Sequence, residues 1–152
     1  MDNFEFKSKD TLEKCQGSVY AKYDRAFDAI YSQFLIFNST EEMYLDFDSY
    51  SWVVDEAYTL LFSPDQEINL IDRHNKTVDR IAFRGPSQWV EDAYWQDDTI
   101  VVLLENTCKT QPIISKIDLK NKSVNTFIYK DSLTIKSDYS KMRHEKISLS
   151  CD

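Results

Sequence analysis

One eight-residue stretch of this chain occurs twice, and it decides the fold. The sequence IDRHNKTV spans residues 71–78, and IDLKNKSV spans residues 117–124, each between runs of alternating apolar and polar residues. An Asp that opens a turn, an Asn that tolerates a left-handed backbone conformation and a β-branched run are typical of a β-hairpin. The two copies therefore predict a sheet built from antiparallel hairpins, but they specify no reaction.

Length and composition further limit the possible fold classes. The 152 residues suit one well-buried domain, here residues 1–152. Hydrophobic residues make up 42% of the chain and aromatic residues 14%, which supplies a packed core and argues against disorder. The longest apolar run, residues 99–104, is strand-sized, whereas a membrane-spanning helix needs roughly 18 apolar residues. We therefore expect no membrane span.

The N-terminus and the cysteines bear on the compartment. Residues 1–6 are neither basic nor apolar, so they do not form a signal peptide, which favours a cytoplasmic protein. A removed signal replaced by an initiating Met would leave the same sequence, so export stays open. Cys15, Cys108 and Cys151 are widely spaced and show no zinc-type pairing. Free thiols in a reducing compartment are favoured, and one disulfide with a spare thiol in an exported protein is the alternative.

Several kinds of site are excluded by what the sequence lacks. Gly17 and Gly85 are its two glycines, whereas a phosphate-binding loop, a dinucleotide fingerprint or a nucleophile elbow needs several glycines close together. His74 and His144 have no second metal ligand at a suitable spacing. We therefore predict no cofactor, no metal site, no catalytic residue and a protein that is not an enzyme.

The chain divides into four segments. Residues 1–17 are polar and predicted to be irregular, and residues 18–34 carry aromatic residues at helical spacing, which predicts a helix. Two strands are the alternative for 18–34, because aromatic-rich segments suit both. Residues 35–135 form the predicted β core. Residues 136–152 are a polar, basic tail with a possible edge strand.

The duplication extends beyond the turn. The segment WVVDEAY at residues 52–58 is echoed by WVEDAY at residues 89–94, and each leads through an apolar strand into the Ile-Asp strand. These units resemble blades of β-propeller repeat proteins, whose strands often meet at an Asp-x-x-x-Gly-Lys turn; Asn75 and Asn121 take the Gly place here. The resemblance covers residues 52–129 and implies two blades, whereas propellers typically have at least four. We therefore predict an antiparallel meander, a sandwich or a flattened barrel built from two blade-like repeats.

Charge is the feature that indicates a partner. Residues 1–108 hold 21 acidic and nine basic side chains, and the remainder holds five acidic and nine basic. The stretches 41–56 and 85–108 contain six and five carboxylates, no Lys or Arg, and several Trp and Tyr residues. Nucleic acid is not expected as a direct partner, because phosphate contacts need a basic face.

These stretches give two functional hypotheses. The first is a non-enzymatic protein-binding module, such as an inhibitor or immunity-type protein, whose acidic, aromatic-rich face binds a basic protein. The second is a soluble or exported β-repeat domain that binds a carbohydrate or peptide through an exposed Trp, with Trp52, Trp89 and Trp95 as candidates. Alternatively, the aromatic side chains point into the core while the acids alternate outward. The predicted partner-binding residues are Glu41, Glu42, Asp46, Asp48, Tyr50, Trp52, Asp55, Glu56, Glu91, Asp92, Trp95, Asp97 and Asp98.

Overall fold

The structure is a computed structural model that describes residues 3–19, 21, 34–54, 60–135, 137–139 and 142, with the backbone alone for 51–54 and 60–62. Within these ranges the chain is mainly β, with almost no helix beyond a short 3-10 turn at Ser49–Ser51. The strands are β1 (Phe4–Thr11), β2 (Cys15–Gln16), β3 (Ile36–Phe37), β4 (Met43–Asp46), β5 (Trp52–Val54), β6 (Leu60–Phe62), β7 (Gln66–Asp72), β8 (Thr77–Arg84), β9 (Gln88–Asp97), β10 (Ile100–Thr107), β11 (Ile113–Asp118) and β12 (Ser123–Tyr129).

The strands form two five-stranded antiparallel sheets and a two-stranded ribbon. Sheet I has the order β1-β12-β11-β10-β9, sheet II has the order β2-β8-β7-β4-β3, and β5 pairs with β6. Both sheet orders are open in the described part of the chain, so the prediction of a mainly antiparallel β fold is confirmed and its flattened-barrel variant is wrong. Among the described strands, the outermost strand of each sheet has no ladder partner on its outer side, so neither sheet closes on itself.

The N-terminal segment is more ordered than the sequence predicts. The expectation of an irregular segment over residues 1–17 is wrong, because β1 pairs with β12 and β2 pairs with β8. Phe4 and Phe6 pack edge-on against Tyr129 and Phe127, with ring centroids 5.3 and 5.9 Å apart. These cross-strand aromatic pairs stabilise a strand whose other residues are largely polar, which is why composition alone did not reveal it.

Both copies of the repeated turn are hairpin turns with the same geometry. In the first, Asp72 accepts hydrogen bonds from the backbone N and the Nδ2 of Asn75, both at 2.8 Å. Asp118 accepts the same two bonds from Asn121, again at 2.8 Å. The left-handed residue is not the Asn but the Lys that follows, with φ of 55° at Lys76 and 53° at Lys122. The side-chain amide of the Asn instead donates a hydrogen bond to the Asp that opens the turn.

The longer blade-like repeat is not confirmed. Trp52 begins β5 in the separate ribbon, whereas Trp89 lies in β9, the last strand of sheet I. The two Trp-containing segments therefore occupy different places in the fold. The turns resemble each other because a few side chains determine a turn, whereas strand placement depends on the whole sheet.

The main core lies between the two sheets. Leu45, Ile68 and Leu70 of sheet II pack in one cluster with Val101, Leu103 and other buried residues of sheet I. A second, smaller cluster covers the opposite face of sheet II, where Leu35 packs with Tyr44 and Ile71 against Ala21, Phe37 and Val78. Sheet II is consequently buried on both faces along β4 and β7. Acidic residues on these two strands, such as Asp46 and Glu67, therefore lie in the interior.

The remaining segment predictions fall largely outside the described residues. Of the predicted helix at 18–34, residues 18, 19, 21 and 34 are described, and none of these is helical. Of the tail at 136–152, residues 137–139 and 142 are described, so the possible edge strand at 147–149 lies outside. In the described part of the chain, no helix is long and apolar enough to cross a membrane.

Candidate functional site

Two turns from distant parts of the sequence meet at one corner of the molecule. Ser39, in the turn between β3 and β4, donates from its Oγ to both carboxylate oxygens of Asp98, at 2.8 and 2.9 Å. Its backbone N also donates to Asp98 Oδ1 at 3.2 Å. This contact joins the two acidic stretches of the sequence. We call the four carboxylates of these turns the acidic corner: Glu41, Glu42, Asp97 and Asp98.

Local hydrogen bonds hold each turn in shape. Asn38 is buried, and its Oδ1 accepts from the backbone N of Met43 at 3.0 Å, while Glu41 takes a left-handed φ of 58°. Asp97 Oδ1 accepts from the backbone N of Thr99 at 2.7 Å and from its Oγ1 at 2.8 Å. The backbone hydrogen bond from Thr99, followed by the hydroxyl bond, lowers the pKa of Asp97 below its usual value. Asp97 therefore stays ionised in neutral solution.

A cleft of about 510 Å³ lies beside the acidic corner. The indole Nε1 of Trp95 donates to the backbone O of Ile36 at 2.9 Å and so connects β9 to β3. Tyr94 is 48% exposed. We call this space the aromatic cleft; it is lined by Ile36, Phe37, Asn38, Ser39, Tyr94, Trp95, Gln96, Asp97 and Asp98. Apolar and aromatic side chains thus lie directly beside carboxylates.

Two predicted site residues lie in the interior instead. Asp46 and Asp48 are each 2% exposed. Asp46 Oδ1 accepts from the backbone N of Asp48 and Ser49 at 3.1 and 3.0 Å, and its Oδ2 accepts from Ser49 Oγ. Burial raises the pKa of Asp46, against the lowering effect of these hydrogen bonds. Both residues shape the chain after β4 and are inaccessible to a partner at the surface.

The other predicted residues are spread over the molecule. Glu91 accepts from Trp89 Nε1 at 3.3 Å, and Asp92 accepts from the Tyr139 hydroxyl at 2.8 Å. Tyr50 is half-buried, with its ring 6.0 Å from that of Phe83. Asp55, Glu56 and the side chain of Trp52 lie outside what the structure describes. The acidic corner and Trp95 are therefore the members of the predicted set that the fold brings together.

Sequence reasoning missed Arg73, which follows β7 and lies at the acidic corner. Its Nη1 donates to the backbone O of Glu41 at 2.9 Å, and its guanidinium lies 5.6 Å from the ring centroid of Phe37. A count of charges along residues 41–56 cannot find it, because β7 meets β4 only in the folded sheet. Arg73 offsets one of the four negative charges of the acidic corner, so these residues together keep a net negative charge.

A buried ion pair lies away from the corner. Arg84 of β8 binds Glu105 of β10, with Nε 2.5 Å from Oε1, and the Glu105 side chain has no solvent exposure. Gln88 Nε2 donates to Oε1 at 3.1 Å and Ser115 Oγ donates to Oε2. The pair joins sheet II to sheet I and has its hydrogen bonds satisfied, which identifies it as structural.

The described residues offer little for metal binding or covalent catalysis. No group of three or more His, Cys, Asp or Glu side chains in the described ranges is arranged to hold a metal ion. Cys15 and Cys108 are exposed free thiols, and His74 is exposed in the first repeated turn. Comparisons with protein-family models, curated proteins and solved structures found no match to this chain. The acidic corner and the aromatic cleft are therefore the surface features of the described residues that bear on function.

Proposed function

We propose that this chain is a non-enzymatic protein-binding module of the inhibitor or immunity type, which binds a basic protein through the acidic corner and the aromatic cleft. The observation that carries this proposal is the contact between Ser39 and Asp98, which brings two acidic turns to one edge of the aromatic cleft. Carboxylates grouped on a surface speed the encounter with a basic partner and fix its orientation. Tyr94 and the cleft supply contact area beside them.

The carbohydrate- or peptide-binding alternative receives less support. A Trp that serves as a stacking platform needs an exposed ring. Trp89 and Trp95 are both half-buried, and each donates its indole N–H to a group of the same chain. The described Trp side chains therefore act as parts of the structure more than as open platforms.

The test is affinity capture from the source cells with the chain immobilised at low salt, followed by a salt step. The proposal predicts that a single basic protein is released between about 0.2 and 0.5 M salt, where the screening length falls well below 10 Å. A matched pair of variants makes the test specific to the corner. The first variant is E41Q/E42Q/D97N/D98N, and the second is E5Q/D10N/E13Q/D131N, whose four acids are exposed elsewhere.

The two variants change the net charge equally and differ only in position. The corner variant should lose the captured protein, while the control variant should retain it. If the salt step releases no protein from the unmodified chain, or if both variants capture the same amount, the proposed function is contradicted.

A further inference from the structure

The aromatic cleft has two walls that the fold holds together. One wall is β3 with the turn that follows it, and the other is the end of β9 with Asp97 and Asp98. The hydrogen bond from Trp95 Nε1 to the backbone O of Ile36 fixes the walls at one end, and the bonds from Ser39 to Asp98 fix them at the other. The cleft is therefore preformed, which lowers the entropy cost of filling it.

The two kinds of surface in the cleft call for an occupant with an apolar stem and a charged head. Ile36, Phe37 and the half-buried ring of Trp95 supply the apolar part. At the rim, the Asp97 carboxylate lies exposed at the end of β9, where its Oδ1 accepts both bonds from Thr99. A cation at the rim would meet the Asp97 carboxylate. Tyr94, the residue before Trp95 in β9, offers a half-exposed ring to the same cation. Long basic side chains combine these properties.

We propose that the aromatic cleft receives a single arginine side chain of the partner, with its stem against Ile36 and Trp95 and its guanidinium between Tyr94 and Asp97. This inference rests on the proposed function and names the group that the partner presents. Arginine fits better than lysine because a planar guanidinium stacks on an aromatic ring and bonds a carboxylate at the same time. The chain already places a guanidinium over an aromatic ring at this corner, where Arg73 lies over Phe37.

The experiment is a nuclear magnetic resonance titration of the whole chain with N-acetylarginine methylamide. The matched probes are the citrulline analogue, which has nearly the same shape without the charge, and the lysine analogue, which has the charge without the planar group. We expect the arginine probe to shift the Trp95 indole N–H and the backbone amides of residues 36–39 and 94–98, with a dissociation constant of about 1–50 mM. The citrulline analogue should bind at least about tenfold more weakly, because it lacks a charge-assisted hydrogen bond.

Variants test the two named contacts. Asp97→Asn and Tyr94→Ala should each weaken the arginine probe several-fold, whereas Tyr94→Phe should preserve its affinity because the ring remains. Equal shifts from arginine and citrulline, shifts that map away from the cleft, or no shift at about 50 mM probe would each overturn the inference. An arginine probe that is no tighter than lysine would overturn the choice of the guanidinium.

The outcome is separable from that of the capture experiment. If a basic protein is captured through the acidic corner but the cleft resonances do not move with the arginine probe, the proposed function stands and this inference fails. If the probe fills the cleft but no basic protein is captured, the cleft binds an arginine group but the proposed function fails, and with it the assignment of that arginine to a protein partner.

Discussion

The two acidic stretches of this chain have similar composition, but β4 in the first and the end of β9 in the second place their acids in different surroundings. In residues 41–56, Asp46 and Asp48 are buried, whereas in residues 85–108 Asp97 is exposed and Asp98 is half-buried. The difference comes from the sheets. β4 lies within sheet II, which is covered on both faces, while Asp97 ends β9, an edge strand of sheet I, and Asp98 follows it. Acidic and aromatic residues in alternation thus indicate a binding surface only where one face of the strand meets water.

The strongest test of this comparison is Glu105, the acid of the second stretch that points inward. Glu105→Ala should lower the free energy of unfolding by about 3–5 kcal/mol, because it leaves the Arg84 guanidinium without its partner between the sheets. Glu91→Ala, on the same sheet but half-buried, should cost less than about 1 kcal/mol. Urea denaturation of both variants measures the difference. Equal losses of unfolding free energy in the two variants would show that burial does not distinguish the acidic residues of this stretch.

Asp46 offers the same test in the first stretch. Asp46→Ala should lower the free energy of unfolding by about 2–4 kcal/mol, since the buried N–H groups of Asp48 and Ser49 lose their acceptor. Asp98→Ala removes the bonds from Ser39 at the surface and should cost about 1 kcal/mol. Chemical denaturation again provides the measurement. A loss at Asp98 as large as that at Asp46 would contradict the division into interior and surface acids.

The pH dependence of stability sharpens the comparison further. Burial raises the pKa of Asp46 in the folded state, so its contribution to stability is fully present below the unfolded pKa of about 3.9 and is lost as pH rises through the folded pKa. Asp46→Asn removes this titration. Relative to the Asn variant, the wild-type chain should therefore lose stability as the pH rises from below about 3.9 towards neutrality.

For Asp97, whose pKa is lowered in the folded state, the sign is opposite. Its stabilising contribution is present above the unfolded pKa and is lost as pH falls through the folded pKa. Relative to Asp97→Asn, the wild-type chain should gain stability as pH rises. Thermal denaturation of the wild type and both variants across this range tests the two directions. The same sign for both residues would contradict the assigned environments.

The smallest expected effect concerns the repeated turn, which has the same conformation in both sheets. Lys76 and Lys122 have nearly equal positive φ values, which glycine adopts without a Cβ penalty. Lys76→Gly and Lys122→Gly should each raise the free energy of unfolding by about 0.5 kcal/mol. Thermal shifts of the two variants should be equal within error. A large difference between them would show that the sheet, and not the turn itself, determines the turn conformation.

The features that sequence predicts here are the local ones. The pairs Asp72 with Asn75 and Asp118 with Asn121 lie three residues apart, so the hairpin turns follow from a short stretch of sequence. The sequence pattern predicts the left-handed residue one position too early, at the Asn. The Asn side chain bonds the Asp instead, and the Lys that follows takes the positive φ.

Burial could not be predicted from the alternation of residues. The pattern Asp46-Phe47-Asp48 suggests acids outside and a ring inside, but all three residues are buried. Residues that are distant in sequence, including Leu35 and Ala21, cover the outer face of sheet II. Likewise, the contact between Ser39 and Asp98 spans 59 residues and depends on β9 lying beside β3. The candidate site therefore depends on how the two sheets pack, and the periodicity of the sequence does not predict that packing.

Under the proposed function, exposed carboxylates at the acidic corner, and not acidic composition as such, bind the partner. Stopped-flow association of the captured basic protein with the corner variant and the control variant tests it most directly, at low and at high salt. We expect the corner variant to associate at least about tenfold more slowly at low salt and the control variant to change little, with a smaller difference between the two rates at high salt. Equal slowing by both variants would contradict the claim, since net charge alone would then explain binding.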